Sequence, residues 1–380
     1  MTLHRVGVTM GDPAGVGGEV LVHGLHALLR CIEEGRLPAS ALAIRGDGQD
    51  RRSDGSVGAN KDHADKSEAV GGGLRESSEA QCAKLRSIRW RIYGDRQRLD
   101  QIAEQAGFAA LQRWRNVEVV ETETEGEAFG WGGLTEAGAK AQVSYIEQAL
   151  AERKAGEVQS LVTGPIHKQA LAWMGVRHVG HTEWLAEDAG VSIPVMMLAG
   201  PRLRVVPATI HIALRDVIGA LTPQHLREVI ETTATGMQRW LGFDRPRLGV
   251  CGLNPHAGDG GLMGKEEQHW MIPLLREMAQ QEQMALVGPL PADTAFYFAS
   301  KGGYDAVIAM YHDQALAPLK VLHFEEAINL TLGLPYLRTS VDHGTAYDIA
   351  GSGKASAQSM LHALVIAGLS VSLAFSDEQH

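Results

Sequence analysis

Short apolar runs, each closed at once by polar, Gly- or Pro-containing residues, recur along this chain. Arg5–Met10 reads as a strand, followed by the Gly-rich turn GDPAGVGGE (Gly11–Glu19) and a helix through about Leu29. Ala41–Arg45 reads as a second strand and Ile88–Tyr93 (IRWRIY) as the next, with a turn and helix following in GDRQRLDQIAEQAG. The apolar positions of Glu136–Arg153 suit a helix, and Val158–Thr163 suits a strand ending in TGP. The same rhythm returns at Leu203–Ile210 into His211, Arg247–Leu253 into NPHAG, and Ala306–Met310 into YHDQ. Helical segments, Pro223–Leu241 and Lys265–Gln280, separate these strands. Strands alternating with helices predict an α/β fold with a doubly wound, mostly parallel sheet. Ligands of such sheets bind at the carboxyl ends of the strands, where the unusual polar clusters of this sequence fall.

Two stretches depart from the pattern. From Gly46 to Ser87 the chain is rich in Gly, Ser, Asp, Lys and Arg and nearly devoid of β-branched or aromatic residues. It lacks the apolar surface to offset its ordering entropy and reads as a solvated insertion. Ser359–Ser376 (SMLHALVIAGLSVSLAFS) has a membrane-like hydropathy, but its histidine, its serines and the lack of basic flanks predict a buried C-terminal helix.

With 380 residues, the chain exceeds one simple core, so two domains or a two-lobed unit are expected. A net charge of −10 argues against sequence-independent nucleic-acid binding, which needs a basic surface. It leaves room for an anionic small substrate, since a local Arg/Lys cluster can focus positive potential in a cleft. Three scattered cysteines, Cys31, Cys82 and Cys251, give no disulfide framework and no C-x-x-C spacing. With no apolar signal segment at the N-terminus, a reducing cytoplasm is expected.

Three histidines stand at strand ends: His211, His256 in GLNPHAGDGG, and His312 in AMYHDQ. Imidazole is a common ligand of Zn²⁺ and related ions, and three protein ligands with an open position form a catalytic arrangement. No local H-x-x-x-H spacing ties them together, and each alone is equally explained as an isolated core or active-site histidine. In VRHVGHTEW, His181 and Thr182 offer a ring and a hydroxyl to a polar ligand, while Thr182 could simply cap the following helix. Lys320, Asn329 and Arg338, spaced around apolar runs, form a cradle for a phosphate or carboxylate if they converge, and solvated surface groups if they do not. GDPAGVGGE is neither a P-loop nor a clean dinucleotide fingerprint. VDHGTAYDIAGSGKAS (Val341–Ser356), with His343, Thr345 and Asp348, could be an ordinary strand-to-helix loop.

Taken in order, GDPAGVG, VTGPIHK, GHTEW, CGLNPHAGDGG, GPLPADT, AMYHDQ and NLTLGLPYLRTSVDHGTA closely resemble the PdxA family of 4-hydroxythreonine-4-phosphate dehydrogenases, over nearly the whole chain outside Gly46–Ser87. The resemblance implies the two-lobed fold of isocitrate and isopropylmalate dehydrogenases, with the active site between the lobes. Residues 1–130 and 290–380 would form a cofactor lobe, and 131–289 a second lobe with metal ligands and dimer contacts. It implies that His211, His256 and His312 bind one divalent ion (Zn, Co or Mg) at a homodimer interface, with Asp293 and Asp313 beside it. His181, Thr182, Lys320, Asn329 and Arg338 would hold a phosphorylated substrate, His181 being the candidate for proton transfer.

The GDPAGVGGE turn and the HGTAYDIAGSGKA run resemble the wider superfamily's GDGIGPE and its HG-S/T-AP-DIAGKG loop, which contacts the adenine end of the nicotinamide cofactor. NAD or NADP is thereby expected against Gly11, Asp12, His343, Gly344, Thr345 and Asp348. Tyr347 stands where that loop has Pro, and GVGGE where the family has GIGPE. The implied activity is NAD(P)- and metal-dependent oxidative decarboxylation of 4-phosphohydroxy-L-threonine in pyridoxal phosphate biosynthesis. A related dehydrogenase of D-threonate or D-erythronate 4-phosphate, a three-histidine hydrolase, and a non-catalytic binding protein on the same scaffold are the alternatives.

Overall fold

The computed structural model describes residues 4–46, 76–120, 122 and 129–374. The strands in chain order are β1 (Arg5–Thr9), β2 (Arg89–Tyr93), β3 (Val117–Val120), β4 (Ser160–Thr163), β5 (Val195–Ala199), β6 (Arg204–Thr209), β7 (Arg247–Cys251), β8 (Ala285–Leu290), β9 (Ala306–Tyr311), β10 (Ile328–Leu332) and β11 (Arg338–Val341). They form one sheet in the order β3-β2-β1-β4-β11-β10-β5-β6-β9-β7-β8. Neighbours are parallel from β3 to β11 and again from β6 to β8. Between these runs β10 pairs antiparallel with β11 and β5, and β5 with β6. The two parallel runs therefore point in opposite senses.

Helices cover the sheet, so central strands such as β4, β5 and β6 are buried along their whole length and read as continuous apolar runs rather than alternating ones. The helix Gln358–Ala374 is the most deeply placed of these, packed on β11 and on the helices Gly17–Glu34 and Pro223–Leu241. Its polar residues are satisfied inside the core: the His362 ring bonds Ser40 Oγ (2.9 Å) and the Glu326 carbonyl (2.8 Å), and Ser370 Oγ donates to the Trp240 carbonyl (2.7 Å). Among the described residues no helix is long and apolar enough to cross a membrane.

Two expectations change. Ala41–Arg45 is not a strand: after Pro38 the chain forms the short helix Ala39–Leu42. The carbonyls of Ala43 and Ile44 accept from the buried guanidinium of Arg204 (2.5 and 2.7 Å) instead of from a neighbouring strand. The expected Gly46–Ser87 insertion is too wide, because Ser78–Arg86 is a helix capped by Ser77, which accepts from the Ala80 amide. Its Cys82 and Leu85 are buried in the core; a composition averaged over the whole stretch hides these two residues. Residues 47–75 of that insertion lie outside the described residues. Within the sheet β4 pairs with β1, and β9 lies between β6 and β7.

Candidate active site

Where the two parallel runs meet, a cavity of about 250 Å³ opens among the end of β4, the start of the helix His181–Asp188, His211 beyond β6, and the paired strands β10 and β11. Arg338, the first residue of β11, is its most consequential wall. Its backbone pairs with Leu161, while its side chain runs along β4 to Thr163, two residues on and therefore on the same face of the strand. There Nε and Nη2 donate to Thr163 Oγ1 (3.0 and 2.6 Å), and Nη1 donates to Thr331 Oγ1 (3.2 Å). Burial lowers the Arg338 pKa to about 10, against the opposing pull of Tyr336 and Glu183, so the group stays charged at neutral pH. No carboxylate among the described residues forms an ion pair with it. A buried charge held only by hydroxyls is costly unless an anion joins it.

His181 opens the helix beside it. The cap is Gly180, with no side-chain bond, so Thr182 lies inside the first turn and is not the cap the sequence suggested. Burial, and then the charge of Arg338, hold the His181 pKa well below the usual histidine range, which leaves a neutral ring. Its Nε2 is buried without a partner, as is Asn329 Oδ1. His181, Thr182, Asn329 and Arg338 are thus brought to one cavity, along with Lys168 and Glu183. Lys320 is not on that wall. Its ammonium donates to the Asp342 carbonyl (2.8 Å) and pairs with the Asp342 carboxylate (2.7 Å), one residue before His343.

The histidines divide. His211 lines the cavity and also a second depression of about 260 Å³, which it shares with His312 and Asp313. The His211 and His312 rings lie 5.8 Å apart between centroids, a consequence of the parallel pairing of β6 with β9. Burial, Lys168 and His312 lower the His211 pKa, favouring the neutral imidazole that ligates metals. His312 Nδ1 bonds Asp313 Oδ1 (2.7 Å), the carboxylate orientation common to metal-binding histidines.

His256 follows β7, which neighbours β9, and lies exposed in a turn where residues 256 to 260 all have positive φ. Asp293 is exposed on the first turn of the helix Ala292–Ser300. Among the described residues no three His, Cys, Asp or Glu groups of one chain come together for an ion. The expected three-histidine set is therefore not assembled within a single chain. The His211–His312 pair has the donor chemistry of a divalent-ion site, with no third ligand beside it among the described residues of one chain.

The Gly-rich segments meet on the other side of the cavity. His343 and Gly344 line it. Gly11, at φ +82°, sits where a Cβ would lie 2.3 Å from the Pro165 carbonyl, so only glycine permits this approach of the β1 turn to the segment after β4. The Thr345 carbonyl accepts from the Val16 amide (2.9 Å). Asp12 is buried and Asp348 exposed. Glu19, which carries no motif signal of its own, accepts from the amides of Gly351 (2.9 Å) and Gly353 (2.8 Å) and ties the loop to the first helix. Thr163, Lys168 and Glu183 were also given no role, although VTGPIHK and GHTEW contain them at strand and helix ends. That position was the available signal.

The family described as pyridoxal phosphate biosynthetic protein PdxA matches residues 77–367. The 4-hydroxythreonine-4-phosphate dehydrogenase of Ruegeria sp. (strain TM1040) is 55% identical over 213 residues, a match spanning 56% of this chain and 65% of that protein. The protein of the same name from Geobacter metallireducens is 38% identical over 368 residues, or 96% of this chain and 95% of the relative. A crystal structure of a 4-hydroxythreonine-4-phosphate dehydrogenase from Burkholderia phymatum superposes with a TM-score of 0.68 at 33% identity, covering 97% of this chain and 99% of that one.

Proposed function

Since the chain belongs to the PdxA family, we propose that it catalyses the NAD(P)-dependent oxidative decarboxylation of 4-phosphohydroxy-L-threonine to 3-amino-2-oxopropyl phosphate and CO₂. The observation that carries this reading is Arg338, a buried cation that faces a cavity and, among the described residues, bonds Thr163 and Thr331. A phosphate fits the guanidinium fork. Asn329 and the free Nε2 of His181 face the same cavity. Glu183, on the first turn of its helix, adds a carboxylate that suits a substrate bearing an ammonium. Lys320 acts from behind, fixing Asp342 and hence the start of the 343–353 loop.

Oxidation transfers the carbinol hydrogen with its electron pair to the nicotinamide and releases the hydroxyl proton. The β-keto acid then loses CO₂, and a proton returns to the carbon left behind. His211, His312 and His256 would hold a divalent ion (Zn²⁺, Co²⁺ or Mg²⁺), with Asp293 and Asp313 beside the site. When bound, that ion supplies Lewis-acid polarisation of the reacting oxygen. His181 is the proton carrier, because an incoming phosphate dianion offsets the Arg338 charge and raises the proton affinity of the ring.

The active species is a homodimer. Ile212 and Leu214 are exposed on the lining of the His211–His312 depression, an apolar surface that a second copy would cover while completing the ligand set. The free thiols Cys31, Cys82 and Cys251 suit a reducing cytoplasm. The test is an assay of metal-loaded protein with 4-phosphohydroxy-L-threonine and each nicotinamide cofactor. Reduced cofactor and CO₂ in equal amounts are expected. Turnover of D-erythronate 4-phosphate alone would replace this reading with that of the hydroxy-acid dehydrogenase.

A further inference from the structure

Tyr347 occupies the position where the superfamily's dinucleotide loop has Pro, and nothing in the proposed chemistry uses it. Its hydroxyl donates to Oδ2 of the fully buried Asp12. The same oxygen accepts from Gln142 Nε2 (3.2 Å), while Asp12 Oδ1 accepts from the Ala14 amide (2.9 Å). Gln142 continues the chain of bonds, with its Oε1 accepting from the His167 amide (2.8 Å). The His167 ring returns to Tyr347 and stacks on it at 5.4 Å with an interplanar angle of 11°. The Asp12 amide also donates to the Pro165 carbonyl (2.9 Å). Residues 164–168 and 343–353 are thereby joined through one buried carboxylate, and both segments line the substrate cavity, at Pro165 and Lys168 and at His343 and Gly344.

We propose that Tyr347 is a positioning residue that sets the dinucleotide loop against the substrate-binding segment through Asp12, so that it governs cofactor affinity rather than the chemical step. A Pro at this position has no hydroxyl to give, so the connection belongs to chains with a phenol here. A hydrogen bond to a buried carboxylate is among the stronger neutral-donor interactions in a protein interior. Its loss loosens the loop, while the Arg338–Thr163 bond that holds the phosphate-binding side of the cavity is untouched. The proposal rests on the reading of residues 343–353 as the nicotinamide-cofactor loop.

Tyr347→Phe tests it, because the ring and its stack on His167 are retained while the donor is removed. The expected result is a rise of about tenfold in KM for the dinucleotide, with kcat within about twofold of wild type and KM for the phosphorylated substrate unchanged. Dinucleotide binding can be followed independently by the part of the energy transfer to bound NADH or NADPH that Trp131→Phe removes, since Trp131 packs against Gly351 in the same loop. Weakening by the same factor is expected there. Gln142→Leu, which removes the second bond to the same oxygen, is expected to give the same split with a smaller factor. Unchanged dinucleotide KM in Tyr347→Phe, or equal losses in kcat and in both KM values, overturns the positioning role. A wild-type protein that turns over its substrate with no dinucleotide bound near Trp131 overturns the loop reading itself, and is told apart by the energy-transfer signal.

Discussion

The Arg338 cavity and the histidine pair lie side by side and share His211, yet they are built to different degrees of completion. The cavity is finished by the fold of one chain: a buried guanidinium is aimed by two threonine hydroxyls, with a neutral His181 alongside. Among the described residues, the charge of Arg338 and the orphan atoms of His181 and Asn329 are needs that a ligand would meet. The histidine site is unfinished. Two rings converge, the third stands exposed in a left-handed turn, and apolar residues surround the gap. One site is thus preorganised by a single core, whereas the other is the one for which we propose a second chain and an ion. Phosphate recognition should therefore survive manipulations that destroy the chemistry.

The largest separation is expected from the histidines. His312→Ala or His256→Ala should abolish metal uptake and turnover together, while phosphate still binds. Metal analysis of the purified variants and calorimetry with inorganic phosphate check the two halves of that statement. Substantial activity in either variant after chelation contradicts the assignment.

Arg338→Ala should act in the opposite direction, leaving metal content intact and raising the KM for the phosphorylated substrate by about a hundredfold to a thousandfold. That is the range seen when a buried, hydrogen-bonded charge loses its partner. Arg338→Lys should recover little of the loss, because an ammonium cannot reproduce the fork that reaches Thr163 and a phosphate at once.

A more moderate effect is expected at the apolar rim. Leu214→Lys puts a charge on the surface that a second copy would bury. It should shift the protein toward monomer in sedimentation experiments, with turnover falling in proportion and phosphate affinity unchanged. Retention of the dimer would separate this surface from the interface.

The smallest expected effect is on stability against pH. Burial lowers the pKa values of both His181 and His362, so their contribution to stability is fully present above the unfolded-state value near 6.5 and is lost as pH falls below it. Each such group adds a slope of up to about 1.4 kcal/mol per pH unit over that window. In His362→Gln, thermal melts between pH 7 and 5 should show a shallower loss than in wild type, with no change in substrate KM. An identical slope would remove His362 from the account.

The difference between the two regions also explains what could be read from the sequence. The strand-end rule located His211, His312 and the VTGP segment because each follows an apolar run directly, and local patterning fixes that much. Arg338 begins its strand, but its partner Thr163 is 175 residues away, a relation made only by the pairing of β11 with β4. Lys320 carried the right charge, but its bond to Asp342 depends on how its helix packs beside the loop. Ala41–Arg45 has strand-like composition, but its amides bond locally and the Ala43 and Ile44 carbonyls accept from Arg204, far along the chain. The assembly of the three histidines could not be read from spacing, and one chain does not provide it either.

The direct test of this contrast is calorimetry of inorganic phosphate with chelated, metal-free wild-type protein and with Arg338→Ala treated in the same way. The account predicts binding to the wild type without any metal and loss of that binding in the variant. Absence of binding to the metal-free wild type, or equal affinity in the two proteins, would contradict it.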